Sequence, residues 1–147
     1  MQKKGRWFPV VARVLLGLSF FVFGLNGFLH FLPQPPEPEK AGAFLGALFA
    51  TGYMLPLIKG TETLAGLVIL SGRAVPLALT ILAPVVVNIL AFHLFLAPGG
   101  LPLPIVLAAL GIYVAWTYRA AFRGVLHIKS EPTDERAPSR AVASPAE

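Results

Sequence analysis

The sequence predicts an all-α integral membrane protein: a four-transmembrane-helix bundle with one short extra helix between spans one and two. Three observations carry that prediction. Of the 147 residues, 56% are hydrophobic and only 13% charged, whereas a soluble domain carries about a quarter charged residues. The apolar residues fall in long runs and not in a stripe of period 2 or 3.6, which points to lipid as the solvent. The net charge is +5, and most of the basic residues lie toward the two ends. That distribution suits anionic lipid headgroups and not nucleic acid. The chain has no cysteine, which excludes thiol–disulfide exchange, iron–sulfur ligation and thiolate metal sites.

The first span is "WFPVVARVLLGLSFFVFGLNGFLHFL", residues 7–32. The preceding "MQKKGR" invites comparison with a signal peptide, but the apolar run is about twice as long as a signal h-region and no small-residue cleavage site follows. It therefore reads as a retained helix. The proline-rich "PQPPEPEK" stops it, because proline cannot continue the hydrogen-bond ladder. Next comes "AGAFLGALFATGYML", residues 41–55. At about 1.5 Å per residue it is too short to cross about 30 Å of hydrocarbon. It is expected to lie over the outer mouth of the bundle.

Pro56 opens the second span, 56–72, at a first-turn position where a missing N–H costs nothing. The third span, 74–98, is interrupted by Pro84, and the fourth covers 101–122. Residues 1–124 thus form one membrane domain. Residues 125–147 are charged, rich in Pro and Ser and without periodicity, so they are expected to be a disordered cytoplasmic tail.

Orientation follows from the basic residues. Lys3, Lys4 and Arg6 precede span one, Arg73 separates spans two and three, and Arg119, Arg123 and Lys129 follow span four. The opposite side carries Lys40 beside Glu37 and Glu39, and an uncharged "PGG". The positive-inside rule then puts both termini in the cytoplasm, with the chain crossing the membrane several times. Trp7, Trp116 and Tyr118 fall at the same inner interface.

In "LIKGTETLAG", residues 57–66, a cation and an anion stand one turn apart in an apolar helix. Counted from the outer boundary, Lys59 lies about 6 Å deep and Glu62 about 10 Å deep. Asn26 on span one comes out about 6 Å deep and Asn88 on span three about 10 Å deep, with His30 and His93 nearer the rim. Three helices therefore bring polar side chains to one outer-leaflet layer. A lone carboxylate at that depth costs several kcal/mol and should face protein, pair with a cation or be protonated.

Glu62 is thus the candidate proton-relay residue. Lys59, Asn26, His30, Asn88, His93 and Tyr53 are the candidate ligand-binding residues. Each has a structural alternative. Asn and His glue membrane helices together, Lys59 can snorkel to the headgroups, and Tyr53 can be an interfacial anchor as readily as a pocket cap. Arg13, about two turns inside the cytoplasmic boundary, is read as snorkelling. His30, His93 and Glu62 are the right types for a metal, but no tight spacing motif supports one and no metal site is assigned.

With these residues in view, the chain resembles the DoxX family of small four-span membrane proteins. The resemblance runs through "RVLLGLSFFVFGLNGFLHF", "TGYMLPLIKGTETLAGLVIL", "VPLALTILAPVVVNILAFHLFLAP" and "YRAAF", covering roughly residues 10–123. It implies an inner-membrane four-helix protein related to the quinone-linked DoxD subunits of thiosulfate oxidation. Any enzymatic role would be at most that of a subunit of a quinone-linked oxidoreductase. There are no Rossmann glycines and no arguable bis-histidine pair, so no intrinsic cofactor is expected. A redox role would need a partner subunit or a diffusible quinone. The first expectation is therefore a membrane subunit binding quinone or another lipophilic molecule around Glu62. A non-enzymatic assembly scaffold and a small lipid or solute transporter are the alternatives. The absence of an inverted repeat argues against a conventional transporter.

Overall fold

The computed structural model describes residues 7–33 and 36–123, and every regular element in them is helical. Helix α1 runs Trp7–Leu29, shorter than the expected 7–32. Two local causes stop it. The Asn26 side-chain oxygen accepts a hydrogen bond from the Leu32 backbone N–H at 2.7 Å, an alternative to the next helical turn. Pro33 then pushes Leu32 away from the α region. His30 takes φ +52°, the left-handed position after a helix end, and donates its N–H to the Asn26 carbonyl at 2.9 Å.

Helix α2 is Glu39–Ala50, displaced from the expected 41–55. Pro38 precedes it, and Glu39 suits a first turn where the helix dipole favours an anion. Thr51 ends it: its hydroxyl donates to the Leu48 carbonyl at 2.6 Å and accepts from the Met54 N–H at 3.0 Å. Gly52, at φ +75°, completes the turn. Helix α3 follows as Met54–Ser71, starting two residues before Pro56, and Gly72 closes it in the left-handed conformation.

Helix α4, Val75–Phe95, continues through Pro84. The expected interruption is therefore absent: the helix accommodates a lost hydrogen bond without breaking. A 3-10 turn at Pro98–Gly100 leads to α5, Pro102–Thr117. The anticipated 101–122 element is thus divided at Tyr118, beyond which α6 covers Arg119–Phe122. The expected tail at 125–147 lies outside the described residues.

Helix α1 packs on α3, α3 on α4, α4 on α5, and α5 back on α1. Leu16 and Phe20 of α1, Ile69 of α3, Leu82 of α4 and Val114 of α5 fill the interior. On α1 the core runs from Ala12 to Phe20 and on α3 from Ala65 to Ile69, while the last turns of α1 and the first turns of α3 contribute nothing to it, so the apolar core sits toward one end of the bundle. The outside is equally apolar. Leu15, Leu18, Leu64, Leu67, Leu77, Val87 and Ile112 are all exposed. Helices α1, α3 and α4 are each long and apolar enough to cross a membrane, and α5 is a shorter apolar helix. An apolar coat of this extent is what hydrocarbon would cover.

The α1–α3 contact is the tightest, and glycine makes it so. A Cβ on Gly66 would lie 2.8 Å from the Gly17 carbonyl oxygen and 2.9 Å from the Phe21 Cα. A Cβ on Gly24 would lie 2.6 Å from the Thr63 nitrogen. These are backbone atoms, which cannot step aside. The pairs run Gly17 to Gly66, Gly24 to Thr63 and Gly27 to Lys59, so the two helices are antiparallel.

Gly66→Ala should therefore lower stability by about 1–3 kcal/mol through overpacking. Gly60, on the same helix with nothing within 4 Å of a built Cβ, supplies the control. Gly60→Ala should be neutral or stabilising by up to about 1 kcal/mol. Thermal unfolding of both variants in detergent checks this; equal loss in the two would remove close packing as the cause.

Candidate functional site

The polar centre is built on α3. Lys59 and Glu62 are three residues apart, hence on one helical face. The Lys59 Nζ donates to Glu62 Oε2 at 2.8 Å. Glu62 is 2% exposed, whereas the Lys59 side chain keeps 29% of its surface. The pair thus has a sealed anionic end and a partly open cationic end.

What seals Glu62 is the backbone of α1. A Cβ at Gly24 would approach Glu62 Cβ to 2.9 Å, and one at Gly27 would meet the Lys59 stem. The missing side chains let the two helices close directly over the ion pair. Thr63, beside Gly24, returns its hydroxyl to the Lys59 carbonyl at 2.7 Å. Taking a carboxylate out of water costs several kcal/mol, and a cation at hydrogen-bond distance offsets much of that. The ammonium has three N–H donors and one points at Glu62, so the open end retains donors for a further acceptor.

The structure joins some of the expected residues to this pair and leaves others apart. Asn26 is 5% exposed and lies on α1 between Gly24 and Gly27. Its side-chain Oδ1 accepts the Leu32 N–H, so its local task is to terminate α1. His30 is exposed and has left the helix, so it does not continue the face of α1 that carries Asn26. Asn88 is exposed on α4, and no hydrogen bond connects it to Glu62. Matched depth alone did not give these two a hydrogen bond.

His93 is half-buried in the last turn of α4, with Nδ1 2.9 Å from the Ile89 carbonyl oxygen. Its ring fills the space over Gly100, where a Cβ would come within 2.6 Å of Cδ2. Phe92 beside it meets Phe44 of α2 in a tilted contact, with ring centroids 5.9 Å apart. Helix α2 also packs on α3, so it lies near the last turn of α4. Tyr53 is 60% exposed at the α2–α3 junction, where it precedes the first turn of α3. Among the described residues, no three His, Asp or Glu side chains converge as a metal site.

Arg13, expected to snorkel, has a definite partner in α3. Its Nη1 donates to the Ile69 carbonyl at 3.1 Å and sits where a Cβ on Gly72 would go. A guanidinium at a helix C-terminus satisfies unpaired carbonyls and complements the negative end of the dipole. The signal available in the sequence was "SGR" after an apolar run: a glycine helix end that leaves carbonyls for a donor.

Compared with known protein families, characterised proteins and solved structures, the chain matches none.

Removing the cation alone should be costlier than neutralising both partners. Lys59→Met leaves a buried carboxylate unpaired and should destabilise the protein by about 3–5 kcal/mol. Adding Glu62→Gln to that variant should restore part of the loss, because the unpaired charge is gone. Unfolding midpoints of the two single variants and the double variant in detergent check the sign; strictly additive losses would exclude coupling between the two side chains.

Proposed function

We propose that this chain is a four-span membrane protein of the DoxX type that holds a quinone or similar lipophilic molecule at the Lys59–Glu62 pair. The observation that carries the reading is the pair's asymmetry: a carboxylate 2% exposed, bound to an ammonium that keeps 29% of its side-chain surface. Lys59 would donate to a ligand carbonyl at the open end, and Glu62 would hold the ammonium and relay a proton. Asn26, buried one turn along α1, adds an amide to the same region. The resemblance in the Gly-Leu-Asn-Gly and Thr-Glu elements supplies the ligand class. Electrons for any redox step would come from a partner subunit, since no redox-active side chain or intrinsic cofactor is assigned to this chain.

In the same reading α5 is the fourth span, and both termini are cytoplasmic in the cell inner membrane. Helix α2 covers the outer end, which its contacts with α3 and Phe92 support. A reporter active only in the periplasm, fused at the C-terminus, should be silent. Activity there would overturn this topology.

A second reading, an assembly scaffold, has its own support. Gly24 and Gly27 set α1 directly on the pair, so the ion pair also fixes how the helices meet. One substitution separates the two readings. Glu62→Gln preserves shape and most hydrogen bonding. In the ligand-binding reading it leaves the unfolding midpoint within a few degrees of wild type and abolishes quinone recovery in lipid-extract mass spectrometry of the purified protein. A large fall in the midpoint with unchanged ligand content would establish the scaffold reading instead.

A further inference from the structure

The outward face of α4 carries a polar group that the site does not use. Leu77, Thr80, Ile81, Pro84, Val87, Asn88 and Phe95 are all exposed there. Thr80, Pro84 and Asn88 are four apart and follow one another along one side of the helix. Thr80 is satisfied within α4, its hydroxyl donating to the Pro76 carbonyl at 2.9 Å. Asn88 is not satisfied: none of the side-chain hydrogen bonds among the described residues involves it. Proline also has no N–H to give the Thr80 carbonyl, so the usual helical hydrogen bond is missing on this side of α4.

Depth turns this into a constraint. Asn88 is seven residues from the end of α4 at Phe95, which puts it about 10 Å inside the apolar segment. A primary amide facing hydrocarbon without a partner is costly, and such side chains are found hydrogen-bonded across helix interfaces. The partner must therefore be another helix presenting a donor and an acceptor at the same depth.

We propose that a second copy of this chain supplies that helix, through a two-fold dimer built on the α4 faces with Asn88 paired to Asn88. Two copies inserted in one membrane share their orientation, so a two-fold axis along the membrane normal sets the two α4 helices parallel and in register. Each residue near the axis then meets its own counterpart at identical depth. Asparagine is suited to that meeting, because its amide has both donors and an acceptor and so is complementary to itself. A single buried Asn pair is known to fix register between parallel helices. The inference rests on the membrane reading and is independent of the ligand.

The test uses the full chain in liposomes, and the lack of native cysteine permits single-cysteine labelling. Thr80→Cys should give an oxidised dimer, whereas Leu64→Cys on α3 and Ile112→Cys on α5, both exposed elsewhere, should not. In single-molecule photobleaching at graded protein-to-lipid ratios, Asn88→Leu should weaken dimerisation about threefold to tenfold. Asn88→Gln, which keeps the amide, should weaken it less. Monomers at every ratio in alkali-resistant membranes would overturn the dimer while leaving the membrane reading intact. Extraction of the protein by alkaline carbonate would overturn both. Cross-linking equally strong from the α3 or α5 positions, or an Asn88→Leu dimer as tight as wild type, would overturn the α4 interface.

Discussion

The antiparallel contact between α1 and α3 is the constraint on which the other elements depend. Without a difference in polarity between helix surface and lipid, hydrophobic burial gives little drive for helices to associate, so close packing and polar pairing must supply it. Gly17, Gly24 and Gly27 on α1 and Gly66 on α3 remove the side chains that would hold the axes apart. The gain is dispersion between backbones over the whole interface, which a bulky residue at any of these sites would interrupt. Helix α4 then packs on α3 and α5 on α1, and their contact with each other closes the ring.

That same contact organises the charges. At one end Arg13 of α1 reaches the Ile69 carbonyl and fills the space above Gly72. Toward the other end, α1 closes over the Lys59–Glu62 pair. Each charged group is held within a helix pair that already packs tightly, so little further ordering is required to bury it. The two ends differ in chemistry. Arg13 meets main-chain carbonyls, which are fixed and neutral and have no proton to exchange. Glu62 meets a flexible ammonium whose remaining N–H donors stay partly accessible. This difference is why the ligand proposal centres on α3 near Glu62 and not on Arg13.

Much of this architecture was legible in the sequence, because length and hydropathy act through one variable, position along the helix axis. The apolar runs located α1, α3, α4 and α5, and the three-residue spacing of Lys59 and Glu62 placed them on one face. Ends were less legible. Asn26 terminates α1 with its own side chain and Thr51 terminates α2, so local hydrogen bonds ended both helices several residues before Pro33 and Pro56, which marked their limits. Pro84 looked like an interruption, but a helix that loses one hydrogen bond while its neighbours remain packed need not break. The α3 carbonyls that Arg13 meets were not legible, because snorkelling explains a cation near an interface without any knowledge of what lies beside it.

Asn88 shows where sequence depth stops being informative. Depth follows from counting residues at about 1.5 Å each, and by that count Asn88 and Glu62 belong to one layer. Which way a residue faces depends on the rotation of its helix about its own axis, and a continuous apolar helix leaves that rotation undetermined by hydropathy. Glu62 turns inward because α1 offers Gly24 and Gly27 to receive it. On α4 the inward positions go to Val75, Ala78 and Leu82, which pack in the apolar core. An ideal helix turns about 100° per residue. Setting those three positions inward therefore carries the Thr80–Pro84–Asn88 side outward. Core packing at one end of α4 thus decides the exposure of an amide several turns away, and a polar residue faces out because the helix that carries it is held by its apolar neighbours.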